Sequence, residues 1–439
     1  MISAFLNAFR TPDLRKKIFF TLGVLALFRL GSTIPTPNVN MARISECIAV
    51  TSQGDQAGLY SMINLFSGGA LLQLTIFALG IMPYITSSII MQLMTVVIPK
   101  LETLKKEGAS GQAKITEYTR YLTLVLAVLN ASAFVTLART GQLFGGACPN
   151  ILYSDDLFPL ITMVMIMTAG TAIIMWMGEL ITDRGVGNGM SIMIFTQIAA
   201  SFPSGLWFIK QSNPGATGWF MFLAVIGVGL LVMLGVIFIE QGQRRIPVQY
   251  AKRMVGRRLV GGSTTYIPLK VNQSGVIPVI FATSILYLPI MYATFRPDSA
   301  FSAWVQQNLG GQQGQFSWWH NILQFALIIA FAYFYVSITF NPEEVSDNMK
   351  KYGGFIPGIR AGKPTERYLA YVLSRLTAPG SIYLATVALI PSIAFVLVGA
   401  NQNFPFGGTS ILIMVGVGLD TVKRIESQLQ QRRYEGFLR

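Results

Sequence analysis

The sequence predicts an all-α integral membrane protein with ten transmembrane helices, and three observations lead to this prediction. They are the composition, the number of long apolar runs and the distribution of basic residues along the chain. Of the 439 residues, 52% are hydrophobic and 12% are charged, and the mean hydropathy is +0.53. Soluble globular chains of this length do not show such values, so lipid is the expected solvent for most of the chain.

Ten apolar runs are each about 20 residues long, which is the length needed to cross a hydrocarbon core of about 30 Å. The runs begin near Ile18, Phe77, Tyr121, Leu157, Gly187, Gly218, Gly275, Asn321, Gly380 and Phe406. We expect these spans to form two halves of five, residues 1–205 and residues 206–439.

A short pattern relates the two halves. The second and seventh spans open on Gly, two apolar residues, Pro, any residue and Ile, at Gly80 to Ile85 and at Gly275 to Ile280. Helices that are five spans apart cross the membrane in opposite directions. The match therefore indicates two pseudo-symmetric halves of inverted topology, and a chance match of six residues is the alternative.

The basic residues lie mostly on one side of the predicted membrane. The net charge of +14 would also suit a nucleic-acid binder, but 28 of the 33 Lys and Arg residues fall in cytoplasmic segments if the N-terminus is inside. Four fall outside, and Arg29 falls within the first span. This asymmetry predicts that both ends of the chain are cytoplasmic. Arg29 lies six residues before Pro35, which favours snorkelling to the outer interface over a buried functional ion pair.

A charge-free stretch runs from Gln56 to Pro99 and is long enough for two spans. Two crossings would move the basic loop of residues 100–114 outside and invert the charge pattern, so we expect one crossing. The remaining apolar piece, about residues 59–73, then enters from the outside without spanning. Such backbone is tolerated only inside protein or along a cavity, which predicts a cavity that opens outward.

Two cytoplasmic loops are long. Residues 241–272 alternate between polar and apolar side chains around a Gly-rich tip, which predicts a hairpin-like finger. Residues 341–367 form a second loop that is rich in Gly and Pro.

Cys47 and Cys148 are the only cysteines, and both fall in predicted outer loops. Either a disulfide between them or two free thiols fits the sequence.

We find no pattern for catalysis, cofactor binding or metal binding. His320 is the only histidine, which excludes zinc motifs of the His-Glu-x-x-His type and Ser/His pairs. Gly362-Lys363 lacks the earlier Gly and the following Ser or Thr of a phosphate loop. The spans carry no carboxylate near their centres, which argues against an ion-coupled secondary transporter, the main alternative. An intramembrane protease, a third class, would need a catalytic pair.

Along essentially its whole length the sequence resembles the SecY family, the central subunits of the bacterial protein-translocation channel. The resemblance is carried by six blocks: NLFSGGALLQLTIFALGIMPYITSSIIMQL from Asn64, GELITDRGVGNGMSI from Gly178, QGQRRIPVQYAKRMVGRR from Gln241, YIPLKVNQSGVIPVIF from Tyr266, NPEEVSDNMKKYGGFIPGIRAGKPTERYL from Asn341 and FGGTSILI from Phe406. It implies a passive channel in the bacterial plasma membrane that is not itself an enzyme and has no cofactor.

The resemblance also implies a plug and a pore ring. The plug would be a re-entrant helix at about residues 59–73 that closes the channel from outside, with its centre at Asn64, Leu65, Phe66, Ser67, Gly68 and Gly69. The ring at the waist of the pore would consist of Ile81, Ile85, Met190, Ile194, Ile280 and Ile413. Met190 replaces an Ile common in the family, and the alternative for any single position is an ordinary core residue. Stiff β-branched side chains would form a narrow apolar constriction that blocks ions.

The second and seventh spans would form a lateral gate through which signal sequences reach the lipid. Its polar residues would be Ser87, Ser88, Gln92, Thr283 and Ser284, and ordinary helix packing is their alternative role. The two cytoplasmic loops would dock the SecA ATPase or a ribosome through Arg244, Arg245, Lys252, Arg253, Arg257, Arg258 and Arg360. Attraction to anionic lipids is the alternative explanation of this charge. Further implied partners are SecE and SecG, signal peptides and nascent chains, SecDF and YidC.

Overall fold

A computed structural model describes most of the chain, with the first ten residues, both outer loops of the first half and several short segments left out. The described residues are 11–51, 70, 73–141, 151–212, 216–250, 253–255, 258–260, 264–295, 299–309, 317–398 and 408–435. The predicted plug centre, Asn64 to Gly69, lies outside them, as do Lys252, Arg257 and Cys148.

Helices make up most of the described chain. The first half contains α1 (Pro12–Gly31), α2 (Met41–Thr51), α3 (Met82–Val97), α4 (Pro99–Lys106), α5 (Ala109–Arg139), α6 (Leu157–Arg184) and α7 (Gly189–Ser212). The second half contains α8 (Ala216–Gln241), α9 (Ile277–Phe295), α10 (Ala300–Asn308), α11 (Trp318–Thr339), α12 (Pro342–Lys351), α13 (Lys363–Val398) and α14 (Gly408–Glu435).

A helix lies at each of the ten predicted span positions, namely α1, α3, α5, α6, α7, α8, α9, α11, α13 and α14. By length and apolar composition alone, five described helices qualify as membrane spans: α5, α6, α8, α11 with its continuation into α12, and α13. Helices α3 and α4 meet at an angle of 100° and qualify only as a pair, so the count becomes six if they are one broken span. This bend lies at Ile98-Pro99, where proline removes a helical N–H donor and forces the preceding residue into an extended conformation.

Helix α7 spans the predicted division between the two halves. It continues to Ser212 through Pro203, so residues 205 and 206 lie inside a helix. Proline is tolerated within membrane helices because neighbouring groups satisfy the freed carbonyl, and Pro203 is therefore not a stop signal here.

Irregular backbone precedes α3. The second apolar run begins near Phe77, but the helix starts only at Met82, after a buried series of turns over residues 73–81. Leu74 has a φ of +47° and is fully buried. The N–H and the hydroxyl of Thr36 both donate to the carbonyl of Leu74, at 3.0 and 2.7 Å, and the N–H of Ile76 donates to Ile34. The segment around residue 35 thus satisfies backbone groups that lipid could not.

Each half has its own apolar core. The first-half core joins α2, α5 and α6 to Leu74, Ala78 and Leu79. The second-half core joins α8, α9, α11, α13 and α14, and Phe202 of α7 packs against its edge. Cys47 on α2 is buried in the first-half core and forms a disulfide. The chain has one other cysteine, Cys148, so the disulfide is the correct alternative.

The predicted hairpin is confirmed. Strands β1 (Gln243–Tyr250) and β4 (Thr264–Lys270) pair antiparallel from Gln243↔Lys270 to Gln249↔Thr264. The tip is a second pair, β2 (Arg253–Val255) with β3 (Arg258–Val260). The second cytoplasmic loop contributes α12 and β5 (Gly354–Phe355), which pairs with the end of β1.

Helix α10 presents three different faces. Ser302, Val305 and Leu309 are buried against α9 and α11. Phe301 and Trp304 are each about half exposed and stack on one another, and Tyr292 of α9 meets Phe301 edge to face. The third face carries small and polar residues. Amphipathic aromatic side chains prefer the boundary between lipid and water, which is where the outer ends of α9 and α11 would lie.

We predict that α10 lies in the plane of the outer membrane interface. A spin label at Trp304→Cys should be more accessible to oxygen, and a label at the neighbouring exposed position Ala303→Cys should be more accessible to a water-soluble nickel complex. Electron paramagnetic resonance in lipid vesicles measures both accessibilities. Equal accessibility profiles at the two positions would contradict this orientation.

Candidate functional site

Four of the six predicted ring residues pack in one apolar cluster. Ile81 and Ile85 come from the start of α3, and Met190 and Ile194 come from α7. The cluster also contains Val417 of α14 and side chains of α1 and α6. Ile81 is 1% exposed. The two pairs have the i, i+4 spacing that places side chains on one helix face, so the predicted faces do converge.

The second-half members of the predicted ring are not part of this cluster among the described residues. Ile413 is buried on α14, one helical turn before Val417, and therefore shares the face that reaches the cluster. Ile280 is half-buried on α9, next to Val279 of the second-half core. The structure thus brings four of the predicted residues together and places one more on an adjoining face.

Close approach of α6 and α7 positions Met190. A side chain at Gly178 would overlap the Met190 side chain, and one at Gly189 would overlap the carbonyl of Gly178. The N–H of Gly189 donates to the hydroxyl of Thr182 at 2.9 Å. The glycines of this segment therefore allow two helices to cross with almost no space between their backbones.

Gln197 borders the cluster and was missed by sequence reasoning. It is 2% exposed, and its Nε2 is buried without a hydrogen-bond partner among the described residues. An added Cβ on Gly80, the residue before Ile81, would lie 2.6 Å from this nitrogen. The only sequence signal was a polar residue three positions after Ile194, which is too common to be informative.

The predicted gate residues divide between different environments. Ser87 is fully buried, and its hydroxyl donates to the carbonyl of Thr119 on α5 at 2.7 Å, so it faces into the first half and not toward α9. Ser88 is half-buried, and Gln92, one turn later, is exposed on the same helix face. Ser284 is half-buried on α9.

Thr283 is also half-buried, and its hydroxyl donates to carbonyls of its own helix, at Val279 and Ile280. Helix α3 packs mainly on α5, and α9 packs mainly on α11. Both helices therefore have their principal contacts within their own halves.

The β1–β4 hairpin, α12, β5 and the loop that leads to α13 pack together, and we call this unit the platform. Ile246, Val248 and Leu269 are buried on one face of the hairpin against Met349, Ile356, Leu369 and Val372. Arg244 and Arg245 are exposed on β1. Arg253 and Arg258 lie in the tip strands.

Arg360 is exposed on a tightly held loop. Its carbonyl accepts a hydrogen bond from the hydroxyl of Thr365 at 3.0 Å, and the hydroxyl of Ser346 donates to Gly362 at 2.9 Å. Gly358 and Gly362 have φ values of +83° and +101°, which favour glycine. The loop therefore presents Arg360 beside the hairpin in one defined position.

Charged residues of α4 and α12 lie near one another. Lys106 at the end of α4 donates to Glu102 at 2.7 Å. This hydrogen bond raises the pKa of Lys106, and Glu343 and Glu344 at the start of α12 raise it further. Helix α4 of the first half and α12 of the second half are therefore within electrostatic range of each other. Within the described ranges, no group of His, Cys, Asp and Glu is suited to hold a metal ion.

Comparison with known proteins gives a consistent result. A family model described as SecY matches residues 75–422. The protein translocase subunit SecY of Streptomyces scabiei is 62% identical over 443 aligned residues, and that of Mycobacterium tuberculosis strain H37Rv is 55% identical over 446, each alignment covering 100% of both chains.

Two solved structures share the fold. One is described as the structure of a protein conducting channel, with a TM-score of 0.62 and 20% identity. Another is Sec61 in a canine ribosome-channel complex, with a TM-score of 0.59 and 18% identity. Each comparison covers 94% of this chain and 91% of the other chain. At such identities the likeness shows the fold alone.

Replacing Gly80 with Ala should lower thermal stability in detergent. Gly80 has a φ of +56°, and an added methyl group would overlap the Gln197 amide. We expect a loss of about 1–3 kcal/mol in the free energy of unfolding. The control is Gly23→Ala on α1, where an added Cβ meets no atom, and its melting temperature should be unchanged or raised. Equal melting temperatures for both variants would contradict the strain at Gly80.

Proposed function

Because this chain belongs to the SecY family, we propose that it is the central subunit of a protein-conducting channel in the bacterial plasma membrane. It moves unfolded secretory proteins across the membrane and releases membrane-protein helices sideways into the bilayer. The observation that carries this proposal is the convergence of Ile81, Ile85, Met190 and Ile194 from two helices into one apolar cluster beside α14. A constriction of this kind excludes hydrated ions by dewetting and widens for a peptide.

The proposed topology has ten transmembrane helices and cytoplasmic ends. Its support is the helix at every predicted position and the segregation of 28 of 33 basic residues to one side. We divide the chain into two inverted halves, residues 1–205 and 206–439, and the support is a separate apolar core in each half. The pore would run between them, with the cluster around Ile81 at its waist.

The proposed lateral gate lies between α3 and α9. Ser88 and Gln92 on one helix and Ser284 on the other are the residues we assign to the seam. Interhelical hydrogen bonds in membranes contribute only about 0.6 kcal/mol each on average, so an entering apolar helix can replace them. Ser87 is assigned to packing within the first half, because its hydroxyl is already bonded to α5.

The proposed plug is the apolar segment around Asn64 to Gly69, which would close the pore from the outer side. Its support is the buried irregular backbone that follows it at residues 74–81. Such backbone at membrane depth is typical of segments enclosed in protein or along a cavity.

The chain is proposed to be a passive channel, and its partners would supply the energy. The platform with Arg244, Arg245 and Arg360 would dock the SecA ATPase or ribosomal RNA phosphates, because exposed basic side chains attract both acidic protein surfaces and phosphates. SecE and SecG would complete the channel, with signal peptides and nascent chains as its substrates. SecDF, YidC and anionic lipids are the remaining proposed partners.

Site-specific crosslinking tests the channel function. A photoreactive amino acid at Ser88 should crosslink to the signal sequence of a secretory precursor stalled in membranes that contain this chain. The control position is Phe158 on the outer surface of α6, which is 81% exposed and should give no such product. If the precursor stalls but never crosslinks at Ser88, the channel function or its gate is wrong.

Ion conductance tests the seal. Replacing Ile81 and Ile280 with Gly and deleting residues 64–71 should raise the resting conductance in planar bilayers, because the apolar constriction and the plug are both removed. The control variant Ile161→Gly changes an exposed position on α6 and should not conduct. An unchanged conductance in the combined variant would contradict both the ring and the plug.

A further inference from the structure

A polar cluster joins the end of α8 to the turn that leads from β4 into α9. We call the cluster of Glu240, Asn272, Ser274 and Gly275 the clasp. Asn272 is 2% exposed, and its Nδ2 donates to the Glu240 carboxylate at 2.5 Å and to the Gly275 carbonyl at 3.2 Å. The hydroxyl of Ser274 donates to Oδ1 of Asn272 at 3.0 Å. The Asn272 side chain thus uses both of its polar atoms.

The clasp lies where four structural elements meet. Glu240 is the penultimate residue of α8, and Asn272 and Gly275 lie between β4 and α9. Next to the clasp, a hydrogen bond joins the two ends of the hairpin: the N–H of Val271 donates to the carbonyl of Gly242 at 3.0 Å. Helix α13 closes the last side, since a side chain at Gly380 would overlap Val271 and contact Asn272.

This arrangement limits how the hairpin and α9 move relative to each other. Gly275 has a φ of +62°, which turns the chain sharply into α9. The Asn272 amide binds the Glu240 carboxylate at the end of α8 and the Gly275 carbonyl in the turn before α9. These bonds, together with the bond between Val271 and Gly242, hold the base of the hairpin to this turn, so the hairpin and the start of α9 are expected to move together.

We propose that Asn272 is a positioning residue that couples the cytoplasmic hairpin to the gate helix α9, with Glu240 as its anchor. Displacement of the hairpin by a docked partner is passed through the clasp to α9 and opens the seam with α3. The proposal rests on the proposed function, since it requires a partner on the hairpin and a gate at α9. Neither Asn272 nor Glu240 contacts the translocated chain in this scheme.

Tyr383 provides a matched control beside the clasp. Its hydroxyl is buried on α13, lies within electrostatic range of Glu240 and has no hydrogen-bond partner among the described residues. Removing this hydroxyl in Tyr383→Phe breaks no bond of the clasp. If substitutions in this region acted only by disturbing the local structure, Tyr383→Phe would lower the translocation rate as the clasp substitutions do.

The test uses the full chain in its membrane complex and measures two quantities separately. One is the affinity of the ATPase motor for the channel, and the other is the rate of precursor translocation at saturating motor. We expect Asn272→Leu and Glu240→Leu to keep the affinity within about twofold of wild type and to lower the rate at least fivefold. Glu240→Gln, whose amide oxygen still accepts a hydrogen bond, and Tyr383→Phe should keep most of the rate.

Exchanging the hydrogen-bond donor and acceptor between positions 272 and 240 separates the loss of this hydrogen bond from a failure to fold. Asn272→Asp has nearly the shape of Asn, but it loses the donor and places a second carboxylate beside Glu240, so the rate should fall as in Asn272→Leu. Adding Glu240→Gln restores a hydrogen bond of reversed direction and should recover most of the rate. The proposal is overturned if Asn272→Asp equals wild type, or if the double variant stays as slow as Asn272→Asp.

Failure of the proposed function would look different. Wild-type chain would then neither bind the motor nor translocate the precursor, whatever the residue at position 272. A wild-type channel that translocates, together with clasp variants that translocate equally well, would overturn the coupling and leave the channel function standing.

Discussion

The structure depends on one constraint, that backbone polar groups at membrane depth must find partners within the protein. Lipid offers neither donors nor acceptors, and each unpaired group there is costly. Long helices satisfy the constraint by themselves. The exception is the segment of residues 73–81, whose carbonyl at Leu74 is held by Thr36 and whose N–H at Ile76 is held by Ile34. Irregular chain therefore lies deep in the first half only because a second segment binds it there.

The same constraint determines what kind of contact joins the two halves. Once each helix has satisfied its own backbone, association in lipid depends on side-chain packing and a few polar contacts. The apolar cores lie within the halves, and the polar groups of α3 and α9 bond to their own side: Ser87 to α5 and Thr283 to its own helix. The apolar cluster at Ile81 includes Val417 of α14, and a second cluster joins Leu14 and Ile18 of α1 to Ile425 of α14, so the halves contact each other through apolar side chains. Such contacts fit the proposed pore, which would seal at rest and widen for a peptide.

The hairpin is different, because its sheet edges and its exposed residues Arg244 and Arg245 require a water-accessible position. Its apolar face packs on α12 and the start of α13. The platform is thus rigid where it meets the membrane domain and open where it would meet a partner. Between the two lies the clasp, in which the buried Asn272 side chain binds Glu240 at the end of α8 and the Gly275 carbonyl in the turn before α9.

The sequence by itself determined the class, the helix positions, the hairpin and the family, because hydropathy, charge asymmetry and strand alternation are local signals that survive without three-dimensional context. It also identified Ile81, Ile85, Met190 and Ile194, whose i, i+4 spacing is a property of single helices. Only the tertiary structure decided which way Ser87 faces, where α3 begins, and that α7 continues past Pro203. The burial of Gln197 and the hydrogen bonds of the clasp were also visible only in the tertiary structure. Burial and hydrogen-bond partners depend on residues far apart in the chain, such as Glu240 and Asn272, and a local sequence pattern does not predict them.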